Sequence, residues 1–326
     1  MSNKKILLSS IRQAFGDTLT SLASKNKNIF VVSADLKSSL KLSNFAKKYP
    51  KRFIECGVAE QNATAIAAGL AQSGKTVFLC SFSCFSPAIN WAVIKQSICY
   101  NNCNVKIIGS HSGLMSAGLG ATHQMLEDIA LMRVLPNMEV FSPADSVETK
   151  KIIHVTANSK TPAYIRLVRP DTPLFFDKKL SFTIGKSHIL KKGKDITVLG
   201  HGPVLYSAFQ IHQKLSKKIS LEIINCSSIK PLDSRTILKS VKKTGKLIII
   251  EDHQKIGGLG EAIANLLLEN NLSPKFIHLA IDNQFGQSAR HYQKLYNHYN
   301  IDIKALTSAI KKINHHAFSE STFKSI

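Results

Sequence analysis

The sequence predicts an α/β fold, with a parallel-sheet domain covered by helices on both faces and a smaller α/β domain after it. Three observations carry this expectation. Short apolar, β-branched runs alternate with helix-period stretches through residues 11–167. The texture then changes at Arg169-Pro170-Asp171-Thr172-Pro173. A second strand–helix series opens at Ile196-Thr197-Val198-Leu199-Gly200-His201-Gly202. Strands that need helical crossovers alternate with helices in this way, and such strands are buried on both faces. A chain of 326 residues is long enough for two domains with separate cores.

In chain order, Ile11, Phe15, Leu19 and Leu22 recur at helical spacing. Asn28–Ser33 reads as a buried strand that opens into a loop at Ala34-Asp35. Further strands are expected at 52–55, 76–81, 105–110, 138–142 and 163–167, with helices at 60–72, 87–100, 125–134 and 145–157 between them. Residues 1–170 form the first domain on this reading. Residues 171–194, rich in proline, lysine and aromatics, read as a linker with a short hairpin. Residues 195–326 form the second domain, with strands at 196–200, 221–225, 246–251 and 276–279 and helices at 203–215 and 260–268.

The formal charge of +22 is carried mostly by lysines scattered at loops and helix ends, such as Lys47-Lys48, Lys191-Lys192 and Lys242-Lys243. Nucleic-acid binders concentrate charge on one face with arginine or aromatics interleaved, so a solvated lysine-rich surface is the reading here, with no nucleic-acid partner. That surplus still raises the local concentration of phosphorylated small molecules. No apolar run reaches the ~18 residues of a membrane span. The start turns polar at Ser9, Ser10 and Arg12, too early for a signal-peptide core, so a cytoplasmic protein is expected. The pairs Cys80/Cys84 and Cys99/Cys103 have zinc-like spacing but sit in a strand and at a helix end without knuckle glycines, and they read as reduced thiols.

Ligands of parallel sheets bind beyond the carboxyl ends of the strands. Asp35, Glu60, Phe82 and His111 fall just past a predicted strand end, and Ser142 falls at one. Glu60, in Gly57-Val58-Ala59-Glu60-Gln61-Asn62, places a carboxyl group at the head of a small-residue helix, where burial makes ionisation costly. Glycines 113, 118 and 120 surround His111 and His123 and permit close approach of a ligand. Phe82 and Phe85 offer either core packing or a surface on which a flat heterocycle stacks. Glu251-Asp252-His253 before Gly257-Gly258-Leu259-Gly260 reads as packing and subunit contact.

The runs Phe53–Asn62, Ser81–Phe85, Gly120–Gln124 and Leu135–Met138 resemble a transketolase, in both motif order and spacing. The resemblance covers nearly the whole chain, as the pyrimidine-binding and C-terminal domains of that family. It implies a thiamine diphosphate-dependent enzyme that transfers a two-carbon ketol unit from a ketose, phosphorylated in the usual case, to an aldose. Glu60 then matches the carboxyl group that pairs with N1′ of the cofactor's aminopyrimidine ring. Phe82 and Phe85 match the wall of the pyrimidine pocket, and Asp35 matches a loop aspartate near the cofactor and the boundary between subunits. His111 and His123 match histidines that contact substrate oxygens and assist proton transfer. Arg12, Ser39 and Arg169 resemble the clamp on the substrate phosphate, for which a guanidinium fork is suited.

Two departures stand out. The family's acidic residue four positions before the second loop histidine is Leu119 here, and an apolar side chain cannot hydrogen-bond a substrate hydroxyl. No Gly-Asp-Gly segment for the magnesium diphosphate is found. The resemblance therefore implies a partner subunit that supplies the diphosphate-binding half and holds Mg2+ or Ca2+, with no metal ligands on this chain. The implied assembly is a heterotetramer of two of each subunit in which this chain also self-associates as a dimer. The rival readings are a deoxyxylulose-phosphate synthase-like enzyme, the beta subunit of a 2-oxo acid dehydrogenase, and a non-catalytic basic binding protein.

Overall fold

The structure is a computed structural model that describes residues 6–215 and 218–314. The first half comprises β1 (Leu8–Ser10), α1 (Ile11–Lys25), β2 (Ile29–Ser33), α2 (Ser43–Lys48), β3 (Phe53–Glu55), α3 (Glu60–Gln72) and β4 (Thr76–Phe82). It continues with α4 (Trp91–Val93), β5 (Val105–Ser110), α5 (Asp128–Arg133), β6 (Glu139–Phe141), α6 (Ser146–Asn158) and β7 (Ala163–Arg166). After β8 (Asp171–Pro173) and β9 (His188–Lys191), the second half holds β10 (Ile196–Gly200), α7 (Tyr206–Leu215), β11 (Leu221–Asn225), β12 (Ser228–Lys230), α8 (Ser234–Thr244) and β13 (Lys246–Gln254). It closes with α9 (Leu259–Glu269), β14 (Lys275–Ile281), α10 (Tyr292–His298) and α11 (Ile303–Ile313).

The larger sheet has the order β12-β6-β7-β5-β4-β2-β3 and the smaller one β14-β13-β10-β11-β9. All pairings inside them are parallel except at one edge of each, where β12 and β9 run antiparallel. Successive strand residues point to opposite faces, and they feed two separate apolar clusters. Val31, Phe78, Ile108, Ile223 and Ile248 join one cluster, while their neighbours Val32, Leu79, Ile107, Ile224 and Ile249 join the other. Helices α1, α6, α7 and α11 cover the first face, and α3, α5, α8 and α9 cover the second. Alanines 63, 67 and 71 let α3 lie close against its sheet. Side-chain caps mark several starts: Ser10 accepts from the Gln13 amide, Asp145 from those of Val147 and Glu148, and Asp302 from that of Ala305.

The structure corrects some local expectations. No hairpin joins the two strands of residues 171–194. Instead β8 pairs with β1 as a two-stranded ribbon, and β9 pairs with β11. The segment after β8 is fastened by the amides of Phe175 and Phe176, which donate to the Asp145 carboxylate that caps α6. The helix expected over 87–100 shortens to α4 and a π-helical turn at Ile94–Cys99, and that over 125–134 shortens to α5. All six cysteines are free thiols. Among the described residues no helix is long and apolar enough to cross a membrane.

Lys106 lies wholly buried in β5 and donates to the Thr161 carbonyl. Burial pulls its ammonium group down from the ordinary 10.5 to about 7, against the opposing pull of Glu139. An unfolded lysine keeps its proton up to its ordinary value, so the unfolded state binds more protons than the native one between those two values. The Lys106 contribution to stability therefore rises with pH across that window. Denaturant unfolding of wild type and Lys106→Met should give a stability difference, wild type minus variant, that climbs from pH 7 to pH 10.5. A flat difference would refute the assignment.

Candidate functional site

The carboxyl ends of the parallel strands gather most of the predicted site residues on one rim. Glu60 is the first residue of α3, where the helix dipole favours an acid, and it is only 7% exposed. Ser81 Oγ, near the end of β4, donates to Glu60 Oε1 at 2.9 Å, and the other carboxyl oxygen has no donor among the described residues. Nearby Cys84 is pushed up to about 11, first by burial and further by the Glu60 charge. Below the first turn, Asn90 Nδ2 donates to Thr64 Oγ1 and Ser86 Oγ, which fixes α3 against the loop after β4.

Phe82 ends β4, and Phe85 follows in the next turn. Their rings stack, with centroids 6.2 Å apart and an interplanar angle of 16°. His111 lies against Phe82 at 3.9 Å, and His123 meets the Phe85 ring edge-on at 5.5 Å. His111 adopts a φ of 61°, a conformation costly for a non-glycine residue. It is held there by its carbonyl, which accepts from Ser116 Oγ at 2.6 Å, and by a 2.9 Å contact between its Nδ1 and Ser110 Oγ. Burial, joined by the charges of Arg12, Arg169 and His123, lowers the His111 imidazole from 6.5 to about 3. At neutral pH it is an uncharged ring with one N–H and one lone pair.

Arg12 Nε donates to the Arg169 carbonyl at 3.0 Å and its NH1 to the Ser39 carbonyl at 2.6 Å, so the three residues lie together. Burial lowers the Arg12 guanidinium, and Arg169 lowers it further against a weaker opposing pull from Asp171. Arg12 and Arg169 line a cavity of about 410 Å³ together with Gly118, Arg290 and His291. A larger cavity of about 700 Å³ lies between the β1–β8 ribbon and α7, α10 and α11, and contains none of the nine predicted residues. Asp35 stands apart. It is exposed at the end of β2 with φ 58°, its amide is tied to Glu55 Oε1 at 2.6 Å, and it makes no hydrogen bond to the Glu60–His111 group.

The acidic string before the second glycine turn is a joint rather than a pocket. Glu251 is buried and accepts from the Leu259 and Gly260 amides at the head of α9 and from His278 Nε2 at 2.7 Å. Burial alone would raise its carboxyl group, but the His201 and His278 contacts override that and hold it well below the usual range. Asp252 reaches the first domain, accepting from the Leu114 amide at 3.0 Å and from Tyr296 Oη at 3.1 Å. A Cβ on Gly113, whose φ is +72°, would collide with that carboxylate.

Sequence reasoning missed Ser81, which fixes Glu60, and the pair Arg290-His291, which comes from the second half. The only signal for Ser81 was its place one residue before Phe82. Nothing local marked the other two. The residues present fit a thiamine pyrimidine ring: they offer a buried acid with one free oxygen beside a stacked aromatic pair, and a buried Ser83 Oγ without a partner in the same wall.

The profile described as "Transketolase, pyrimidine binding domain" matches residues 9–173, and "Transketolase, C-terminal domain" matches residues 185–306. A protein of Methanocaldococcus jannaschii that carries the name of a transketolase C-terminal section is 39% identical over 303 residues, 92% of this chain and 95% of its own. One of the subunits of the apulose-4-phosphate transketolase of Phocaeicola vulgatus is 36% identical over 293 residues, 89% of this chain and 93% of its own. A solved structure described as a split-gene transketolase, inactive beta4 tetramer, superposes with a TM-score of 0.87 at 37% identity. It covers 95% of this chain and 99% of that one.

Proposed function

Because the chain belongs to the transketolase family, whose enzymes depend on thiamine diphosphate, we propose that it is the C-terminal subunit of a split transketolase. The reaction is transfer of a two-carbon ketol unit from a ketose phosphate to an aldose phosphate. The observation that carries this reading is the buried Glu60 carboxyl, set by Ser81 on the same rim as the Phe82–Phe85 stack, His111 and His123. The synthase and dehydrogenase alternatives give way, since the relatives of matching length carry transketolase names.

When bound, thiamine diphosphate supplies the carbanion chemistry, and the protein supplies position and proton control. Glu60 would hold the pyrimidine ring at N1′ through its carboxyl group, with Ser81 keeping that group aimed. Phe82 and Phe85 would pack the flat ring and exclude water. Neutral His111 gives or takes one hydrogen bond at a substrate oxygen without placing a full charge there, and His123 stands opposite across the aromatic pair. Arg12, Ser39 and Arg169 hold the substrate's phosphate, and Asp35 lies toward the boundary between subunits. Leu119, half-buried among the loop glycines, offers no hydrogen bond to a substrate hydroxyl, so selection among sugars falls to the rest of the site.

The diphosphate and its Mg2+ or Ca2+ are held by a partner subunit, in a heterotetramer of two of each subunit with this chain self-associated as a dimer. Relatives matched over 93% or more of their own length and named as a section or a subunit support the need for a partner subunit. On this reading the complex works in the cytoplasm, where its thiols stay reduced. The test is an assay of the chain alone and mixed with its diphosphate-binding partner, on ketose phosphate plus aldose phosphate and on pyruvate. Ketol transfer is expected from the mixture alone. Turnover of pyruvate, or full activity without the partner, would overturn the proposal.

A further inference from the structure

We infer that Arg290 and His291, carried by the second domain, complete with Arg12 and Arg169 a binding site for the tetrahedral oxyanion at the far end of the substrate. This rests on the substrate-clamp reading of Arg12 and Arg169 and adds a wall from another domain to it. All four side chains line the same cavity of about 410 Å³. The chain has seven arginines, and three of them meet here. Arg12 donates from Nε and NH1 to the Arg169 and Ser39 carbonyls, which leaves its NH2 for an anion, whereas Arg166 is committed to a buried ion pair elsewhere. Among the described residues, Arg169, Arg290 and His291 have no side-chain hydrogen bond or ion pair. Arg12 feels a stronger push from Arg169 than pull from Asp171. Like charges gathered without a matching acid are unfavourable until an anion arrives, and guanidinium forks suit a phosphate or sulfonate.

The segment that brings Arg290 is fixed to the substrate loop, residues 111–124, by two hydrogen bonds and to its own domain by a third. The Ala289 amide donates to the Ala117 carbonyl at 3.0 Å, and Gln124 Nε2 donates to the Gln287 carbonyl at 2.9 Å. Tyr299 Oη donates to the Phe285 carbonyl at 2.6 Å. A Cβ on Gly120 would sit 2.6 Å from Ser288 Oγ, so the two loops lie in direct contact. The second domain therefore presents Arg290 and His291 beside the turn that carries Leu119 and His123.

The test uses the full chain with 15N-labelled arginine side chains, titrated with inorganic phosphate at pH 7 and low salt, and single arginine-to-lysine variants to assign the signals. Arg12, Arg169 and Arg290 should shift along one curve with a common midpoint. Arg290→Gln combined with His291→Gln, both exposed positions, should weaken that midpoint about fivefold with the thermal midpoint unchanged. If Arg12 and Arg169 shift while Arg290 stays still, or if the double variant binds like wild type, the inference fails and the clamp stands. If all three stay still up to about 50 mM, well above the millimolar range of weak binding, the clamp reading fails with it.

Discussion

Glu60→Gln should reduce turnover of the reconstituted enzyme by about 10²–10⁴-fold, the usual share of a positioned acid–base group. The substitution is chosen so that folding survives. Ser81 Oγ donates to Glu60 Oε1 at 2.9 Å, and a glutamine carbonyl accepts the same bond. Lost charge at the head of α3 costs about 0.3–1 kcal/mol of helix stability, too little to unfold a packed domain. On the proposed mechanism the loss should fall on kcat, because there the carboxyl acts on the cofactor rather than on the sugar phosphate. Ser81→Ala should show a smaller loss in the same direction, since it removes only the group that aims the acid. Measured kcat within about threefold of wild type for Glu60→Gln would remove the acid from the chemistry, and with it the functional reading.

The second large effect is one of stability. Arg166 of β7 is fully buried and donates from Nε to both oxygens of Asp128, at 2.9 and 3.2 Å, while Tyr164 Oη donates to the same carboxylate at 2.7 Å. Its NH2 donates to the Asp252 carbonyl at 2.8 Å, across the boundary between the two sheets. The paired acids hold the guanidinium proton more tightly than usual, in spite of burial. Arg166→Met leaves Asp128 and Asp252 buried without their counter-charge, and such a loss costs about 3–5 kcal/mol. Adding Asp128→Asn should recover about 1 kcal/mol or more, since the two positions share one interaction. Denaturant unfolding of the two single variants and the double variant checks both statements. A cost below about 1 kcal/mol for Arg166→Met would mean that neither the Asp128 pair nor the bond to the Asp252 carbonyl holds the fold together.

Much of the site was legible because chemistry sat at a predictable place along each strand. Glu60, Phe82 and His111 each follow an apolar run, and a parallel sheet puts all such positions on one edge. Arg12 and Arg169, at opposite ends of the first domain's sequence, meet through the carbonyls of Arg169 and Ser39 rather than through a direct contact of side chains. Asp35 was legible as a strand-end loop residue, but its amide is tied to Glu55 and it makes no hydrogen bond to the Glu60–His111 group. His111 read as a proton-transfer group, yet its charge state depends on how deeply the Phe82 ring and the arginines enclose it, which no spacing rule reveals.

The order of apolar runs, glycine turns and caps determined the α/β architecture and the strand-end rim on which Glu60 lies, because strand and helix periodicity are local properties of the chain. Which strands pair was decided by tertiary structure. Strand β12 leaves the second half to pair with β6, and β8 and β9 join different sheets instead of each other. The same holds for Arg290 and His291, which sit at the substrate loop only because a loop of the second domain is hydrogen-bonded onto Ala117 and Gln124. Contacts between residues more than a hundred positions apart depend on how two packed cores meet, and no window of sequence carries that information.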